Sequence, residues 1–116
     1  MKKASLAFAV LFSVWGGTAV ASDSYTYQCR HASSPEIREI EVVYLQREAA
    51  VPCEVNYAKN GVEERLWSAS YTEGYCEAYA KGFVEKQKGW GWHCQVVKGQ
   101  EPDNIMTVEE LEKTAQ

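Results

Sequence analysis

The groups in this chain that could do chemistry are four cysteines, two histidines and a late cluster of tryptophans. Cys29, Cys53, Cys76 and Cys94 could form disulfides, bind zinc or act singly as nucleophiles. Zinc frameworks gather their ligands in close pairs such as C-x-x-C, whereas these cysteines stand 24, 23 and 18 residues apart. The same wide spacing lacks the C-x-x-C of a thiol oxidoreductase. His93 beside Cys94 invites a Cys-His nucleophile, yet neighbours on an extended chain point to opposite faces and cannot form that pair. The adjacent acids Glu63-Glu64 and Glu109-Glu110 read as solvated. No phosphate loop, nucleophile elbow or histidine-rich metal motif is present. An even cysteine count in a short exported chain reads instead as two disulfides. The expectation is a non-enzymatic protein with no catalytic residue, no metal and no cofactor.

Export is read from the N-terminus. Lys2 and Lys3 precede an apolar run from Ala4 to Trp15, and Ala19-Val20-Ala21 offers a small-x-small cleavage site, so residues 1–21 read as a signal peptide. The run is shorter than the roughly 20 residues that span a bilayer. No cysteine follows the cut directly, which argues against a lipoprotein anchor, so the expected product is periplasmic or secreted with no membrane insertion. Losing the two lysines moves the net charge from −4 to −6. An acidic chain lacks the basic surface that phosphate contacts require, which excludes a nucleic-acid partner. Most of the acidity belongs to residues 101–116, with five acids against Lys113. That segment is expected to be either a mobile acidic tail or a short helix over Val108 to Lys113.

Residues 22–100 must then position the cysteines. Tyr25, Tyr27 and Cys29 alternate with Thr26, Gln28 and Arg30, the period-two pattern of a strand. A turn at Ala32-Ser33-Ser34-Pro35 leads to a second strand over 37–45, with Ile40, Val42 and Tyr44 inward. Val51, Cys53, Val55 and Tyr57 mark a third. Asn60-Gly61 suits a type I′ turn, so 51–57 and 62–70 are expected to form a hairpin. In the fourth strand Leu66 and Trp67 point to opposite faces, so one of them needs cover from elsewhere or is exposed. Helical periodicity follows, with Ser70 or Thr72 as candidate N-caps. Tyr75, Cys76, Tyr79, Ala80, Phe83 and Val84 lie on one stripe, and Glu77, Lys81 and Glu85 lie opposite, with Glu77 and Lys81 in the favourable i,i+4 order. Gly89 stops the helix, and Gly82 offers a site of close packing. Trp90, Trp92, Cys94 and Val96 then alternate as a fifth strand. The fold class is α+β: an antiparallel sheet of four to five strands with one helix on one face and two disulfides. In a meander, Cys29 and Cys53 stand on strands separated by a third, too far apart to bond. This favours Cys29–Cys94 with Cys53–Cys76. A domain this small buries only about 60–65% of its unfolded surface, so the staples matter.

The aromatic residues are the lead to binding. All seven tyrosines and three of the four tryptophans lie beyond residue 21. Trp67, Trp90 and Trp92 are the candidate binding residues, with Arg65 placed to stack on Trp67 or to stay solvated. Packing around the disulfides is the competing role of Trp90 and Trp92, and core is the favoured reading for both.

Four segments carry a resemblance: Val51-Pro52-Cys53-Glu54-Val55-Asn56-Tyr57, Leu66-Trp67-Ser68-Ala69, Gly74-Tyr75-Cys76-Glu77 and Gly89-Trp90-Gly91-Trp92-His93-Cys94. Together they make the chain resemble a family of small exported proteobacterial proteins with four cysteines, a resemblance that implies compartment and not activity. A weaker likeness, through the opening Tyr-x-Cys strand, is to periplasmic inhibitors of c-type lysozyme. Their inhibitory Ser-Gly-x-x-Tyr loop has its nearest counterpart in Ser68-Ala69-Ser70-Tyr71, which lacks the glycine, and a helix around Cys76 does not suit their all-β barrel. The functional expectation is a binding protein of inhibitor-like or immunity-type character, whose partner is another periplasmic or extracellular protein. The alternative is a module that stacks a glycan or peptidoglycan on exposed Trp or Tyr.

Overall fold

A computed structural model describes residues 24–114; the expected signal peptide lies outside the described residues. The chain runs β1 (Tyr25–His31), β2 (Ile37–Tyr44), β3 (Cys53–Lys59), β4 (Val62–Ala69), α1 (Tyr75–Gly89), β5 (Trp92–Lys98) and α2 (Val108–Thr114). The five strands form one sheet in the order β4-β3-β2-β1-β5, every pair antiparallel. The first four strands are a meander. Asn60 and Gly61 both take positive φ at the tip of the β3–β4 hairpin, as a type I′ turn demands.

Helix α1 carries the chain from one edge of the sheet to the other. Five strands at about 4.8 Å spacing are roughly 19 Å across, and a helix of 15 residues is about 22 Å long. One helix therefore spans the sheet and delivers β5 beside β1. Cys76, Ala80, Val84 and Gln87 of α1 are buried, and the core they complete includes Tyr25, Tyr27, Ile40, Val42 and Val55 of the sheet. Both disulfides pair as the strand order requires. Cys53–Cys76 ties the start of β3 to the first turn of α1, and Cys29–Cys94 joins residues directly opposite on β1 and β5.

The start of α1 departs from expectation. Neither Ser70 nor Thr72 caps it; the N-cap is Gly74 at φ 84°, with no side-chain capping bond. The residue that leads into α1 takes a left-handed conformation, which glycine enters without a Cβ clash. The polar side of the helix also differs. Glu77 is only 8% exposed and accepts a 2.6 Å hydrogen bond from Tyr44 Oη, so it does not pair with Lys81. Lys81 instead donates to Glu101 Oε1 at 2.8 Å.

Of the two forms expected for residues 101–116, the helical one is present. Leu111 of α2 is buried, and Glu101 accepts hydrogen bonds from both Tyr27 Oη and Lys81 Nζ at 2.8 Å. A Cβ at Gly82 would stand an ordinary 3.5 Å from Val108 Cγ2, so α2 lies against α1 here but does not need the glycine for a closer approach. The segment from Glu101 to Thr114 is a strap laid along the side of α1 away from β4.

Candidate functional site

The flank of α1 that looks toward β4 carries a continuous row of half-buried rings. Tyr75 and Tyr79 lie 4.5 Å apart between centroids, Tyr79 and Trp67 5.3 Å, Trp67 and Phe83 5.9 Å, and Phe83 and Tyr57 5.0 Å. Tyr75, Tyr79 and Phe83 recur at four-residue spacing on α1, so helix geometry stacks them along one flank. They were expected among the core-facing stripe. In fact the stripe divides: Cys76, Ala80 and Val84 point into the sheet, while Tyr75, Tyr79 and Phe83 lie at its border and keep part of each ring in solvent. Sheet residues complete the row, Trp67 from β4 and Tyr57 from β3.

Trp67 reaches this row because of a β-bulge. Val55 pairs with Trp67 and Asn56 with Arg65, which leaves Leu66 as the extra residue of β4. Residues i and i+2 of a regular strand share a face, and a bulge breaks that rule. Trp67 therefore faces α1, while Arg65 lies opposite Asn56 toward the uncovered face and pairs with Glu54 at 3.4 Å. Of the two roles expected for Arg65, stacking on Trp67 is thus ruled out and the solvated one is present. Both Leu66 and Trp67 are half-buried, so neither is left fully exposed.

The other two candidate tryptophans part company. Trp92 is 7% exposed and belongs to the core. The Arg38 guanidinium lies over its ring at 4.0 Å, and His31 meets the ring edge at 5.2 Å. Trp90 is 60% exposed, which corrects its expected core position. It stands in the turn between α1 and β5 rather than in the strand, because Gly91 at φ 93° redirects the chain after the helix ends. The structure thus does not bring Trp67, Trp90, Trp92 and Arg65 into one site. Only Trp67 belongs to the row.

A polar network closes the inner side near the end of α1. Buried Gln87 accepts from Arg38 Nη1 at 3.2 Å and donates to Tyr57 Oη at 3.5 Å. Tyr57 and Arg38 are thereby held from behind, which limits the rotation of the terminal ring of the row. Beyond the other end, in the β4–α1 connection, Tyr71 is 92% exposed. The Tyr79 phenol is pushed above the ordinary tyrosine range by desolvation, then by Tyr75 and by the Glu112 carboxylate of α2. The tyrosines offer apolar faces with hydroxyl tips, the combination that favours protein interfaces. Sequence patterning missed Tyr57, Tyr71, Tyr75, Tyr79 and Phe83 as surface groups. Their four-residue spacing on α1 signals a shared flank but not which neighbour covers it.

The opposite face of the sheet is polar. Glu39, Glu41 and Glu63 line a shallow depression there with Lys98 and Asn56. The Glu41 carboxyl is pushed up by burial and by the charge of Glu63, with Lys98 opposing. Among the described residues, no group of three or more His, Cys, Asp or Glu stands together as metal ligands. All four cysteines are disulfide-bonded, which fits an oxidising, extracytoplasmic environment. No helix among the described residues is long and apolar enough to cross a membrane. Compared with protein-family models, curated proteins and solved structures, the chain matches none.

Proposed function

We propose that this chain is a small exported binding protein, periplasmic or secreted and without catalytic activity of its own, that engages another envelope or extracellular protein in an inhibitor-like or immunity-type role. The observation that carries this reading is the aromatic row from Tyr75 to Tyr57. Five partly buried rings keep some surface in solvent along the border between a disulfide-clamped helix and the sheet, where covering them with a partner would be favourable and would cost little conformational entropy. The non-enzymatic part rests on the occupation of the reactive groups. Every cysteine is bonded, so none is free to act as a thiolate nucleophile.

The test compares tagged mature protein with its Tyr71→Ala and Tyr79→Ala variants as bait in periplasmic extract of the native host. A protein held by the wild type and lost by Tyr79→Ala supports the proposal. Equal recovery by all three baits argues against the row as the binding surface.

A second reading, a glycan-binding module, is favoured by one observation: Trp90 presents an open indole between Gly89 and Gly91. Quenching or a blue shift of Trp90 emission on adding peptidoglycan fragments, absent in Trp90→Phe, would support it. An unchanged spectrum would remove it.

A further inference from the structure

Among the described residues, two buried side-chain atoms hydrogen-bond to no protein group, the Tyr25 hydroxyl and Glu77 Oε2. Tyr25 is 1% exposed and Glu77 8%. Buried polar atoms are nearly always partnered, and an orphan calls for a specific explanation. The two orphans belong to one cluster. Tyr44 Oη donates to the other oxygen of the same carboxylate, Glu77 Oε1. Tyr25 lies opposite Val42, two residues before Tyr44, so both rings point to the α1 face from adjacent strands. The Tyr25 phenol is raised chiefly by burial, next by the charges of Glu77 and Glu101, against the opposing effect of the nearby Tyr27 and Tyr44 hydroxyls, so these groups share one field.

The chemistry of the orphans selects the ligand. One is a phenolic donor and the other a carboxylate lone pair, and a molecule that serves both must accept and donate. A hard cation would require several oxygen ligands, more than one of them charged. Here Glu77 offers one unpaired oxygen, while the nearby Glu101 is neutralised by the Lys81 ammonium and held by Tyr27, both through Oε1. We propose that one internal water molecule binds between α1 and the sheet, accepting from Tyr25 Oη and donating to Glu77 Oε2. Tyr44 Oη, which donates to Oε1, retains a lone pair for the water's second proton. That makes three polar partners, the number typical of buried water. The water links β1 to α1 just as the Tyr44–Glu77 bond links β2 to α1.

The test is a high-resolution crystal structure of the mature wild type and of Tyr25→Phe. The wild type is expected to show one ordered peak within about 2.6–3.2 Å of both Tyr25 Oη and Glu77 Oε2. Tyr25→Phe should lose that peak and melt at a lower temperature. In thermal melts, Tyr25→Phe/Glu77→Gln should lose no more Tm than the larger single variant, because the partners share one ligand. A direct Tyr25–Glu77 hydrogen bond with no peak, a dry site, or strictly additive Tm losses would overturn the proposal. So would an octahedral set of short oxygen contacts around the peak, since that is an ion. If neither variant folds, the wild-type peak alone decides.

Discussion

Cys53 at the start of β3 is bonded to Cys76 in the first turn of α1, 23 residues further on. The bond closes the loop that contains the β3–β4 hairpin and the sharp entry into the helix at Gly74. It holds the N-terminal end of α1 over the sheet at the point where no side chain caps the helix. Cys29–Cys94 holds the strand that follows the other end. A lone helix crossing five strands is therefore clamped before and after its crossing.

Removing the first clamp should be costly. Cys53→Ala/Cys76→Ala is expected to lose about 2–4 kcal/mol of stability, read by urea denaturation. Amide exchange should accelerate first at Cys76 to Tyr79, where the uncapped turn then frays. An unchanged urea midpoint would show that the packing of Ala80 and Val84 suffices to hold α1.

Acid should release the strap. Burial alone would raise the Glu101 carboxyl, but the hydrogen bonds from Lys81 and Tyr27, with the charge of Lys81, outweigh it and leave the group below its ordinary value. A carboxylate lowered by folding stabilises the protein above its unfolded pKa, and that contribution is lost as pH falls through the folded value. Between about pH 6 and about pH 3 the Tm should fall more for the wild type than for Glu101→Gln. Parallel Tm curves would show that the Glu101 contacts do not contribute.

Two glycines should respond in opposite ways. At Gly82 a Cβ meets Val108 Cγ2 at an ordinary 3.5 Å, and α1 is helical there. Gly82→Ala is expected to be neutral or to stabilise by about 0.5–1 kcal/mol through helix propensity. Gly99 has φ +69°, and a Cβ there would collide with the Ser24 carbonyl oxygen and with Tyr25. Gly99→Ala should destabilise by about 1–3 kcal/mol. Chemical denaturation of both variants in one series would check the sign of each change.

The neighbouring tryptophans provide a further contrast. Trp92→Ala removes a core ring from beneath Arg38 and should cost about 3–5 kcal/mol. Trp90→Ala, at an exposed turn, should stay within about 0.5 kcal/mol of the wild type. Acrylamide should quench Trp90 far more than Trp92 in the single-tryptophan variants. Similar quenching of both would contradict their different burial.

Much of the architecture is legible in residue order. Alternation at Tyr25–Cys29 and Ile40–Tyr44, the Asn60-Gly61 turn and the period of α1 are local signals, each expressed over a few residues. They place the strands in a meander, and the cysteine pairing follows from which strands can be neighbours. The misreadings arise where a distant segment decides. Leu66 is an extra residue in β4 only because β3 pairs around it, which sends Arg65 and Trp67 to opposite faces. Glu77 looks like a solvent-facing helix position until Tyr44 is brought above it from β2.

Local periodicity and the spacing of Cys29, Cys53, Cys76 and Cys94 were enough to determine the α+β class and both disulfides, because covalent reach and chain pleating are short-range properties. Which rings keep surface in solvent was decided only in three dimensions. Exposure depends on what the rest of the chain lays against each residue. The strap covers the Ala78 side of α1, the sheet covers Cys76 and Val84, and Tyr75, Tyr79 and Phe83 are left between them and the β4 edge.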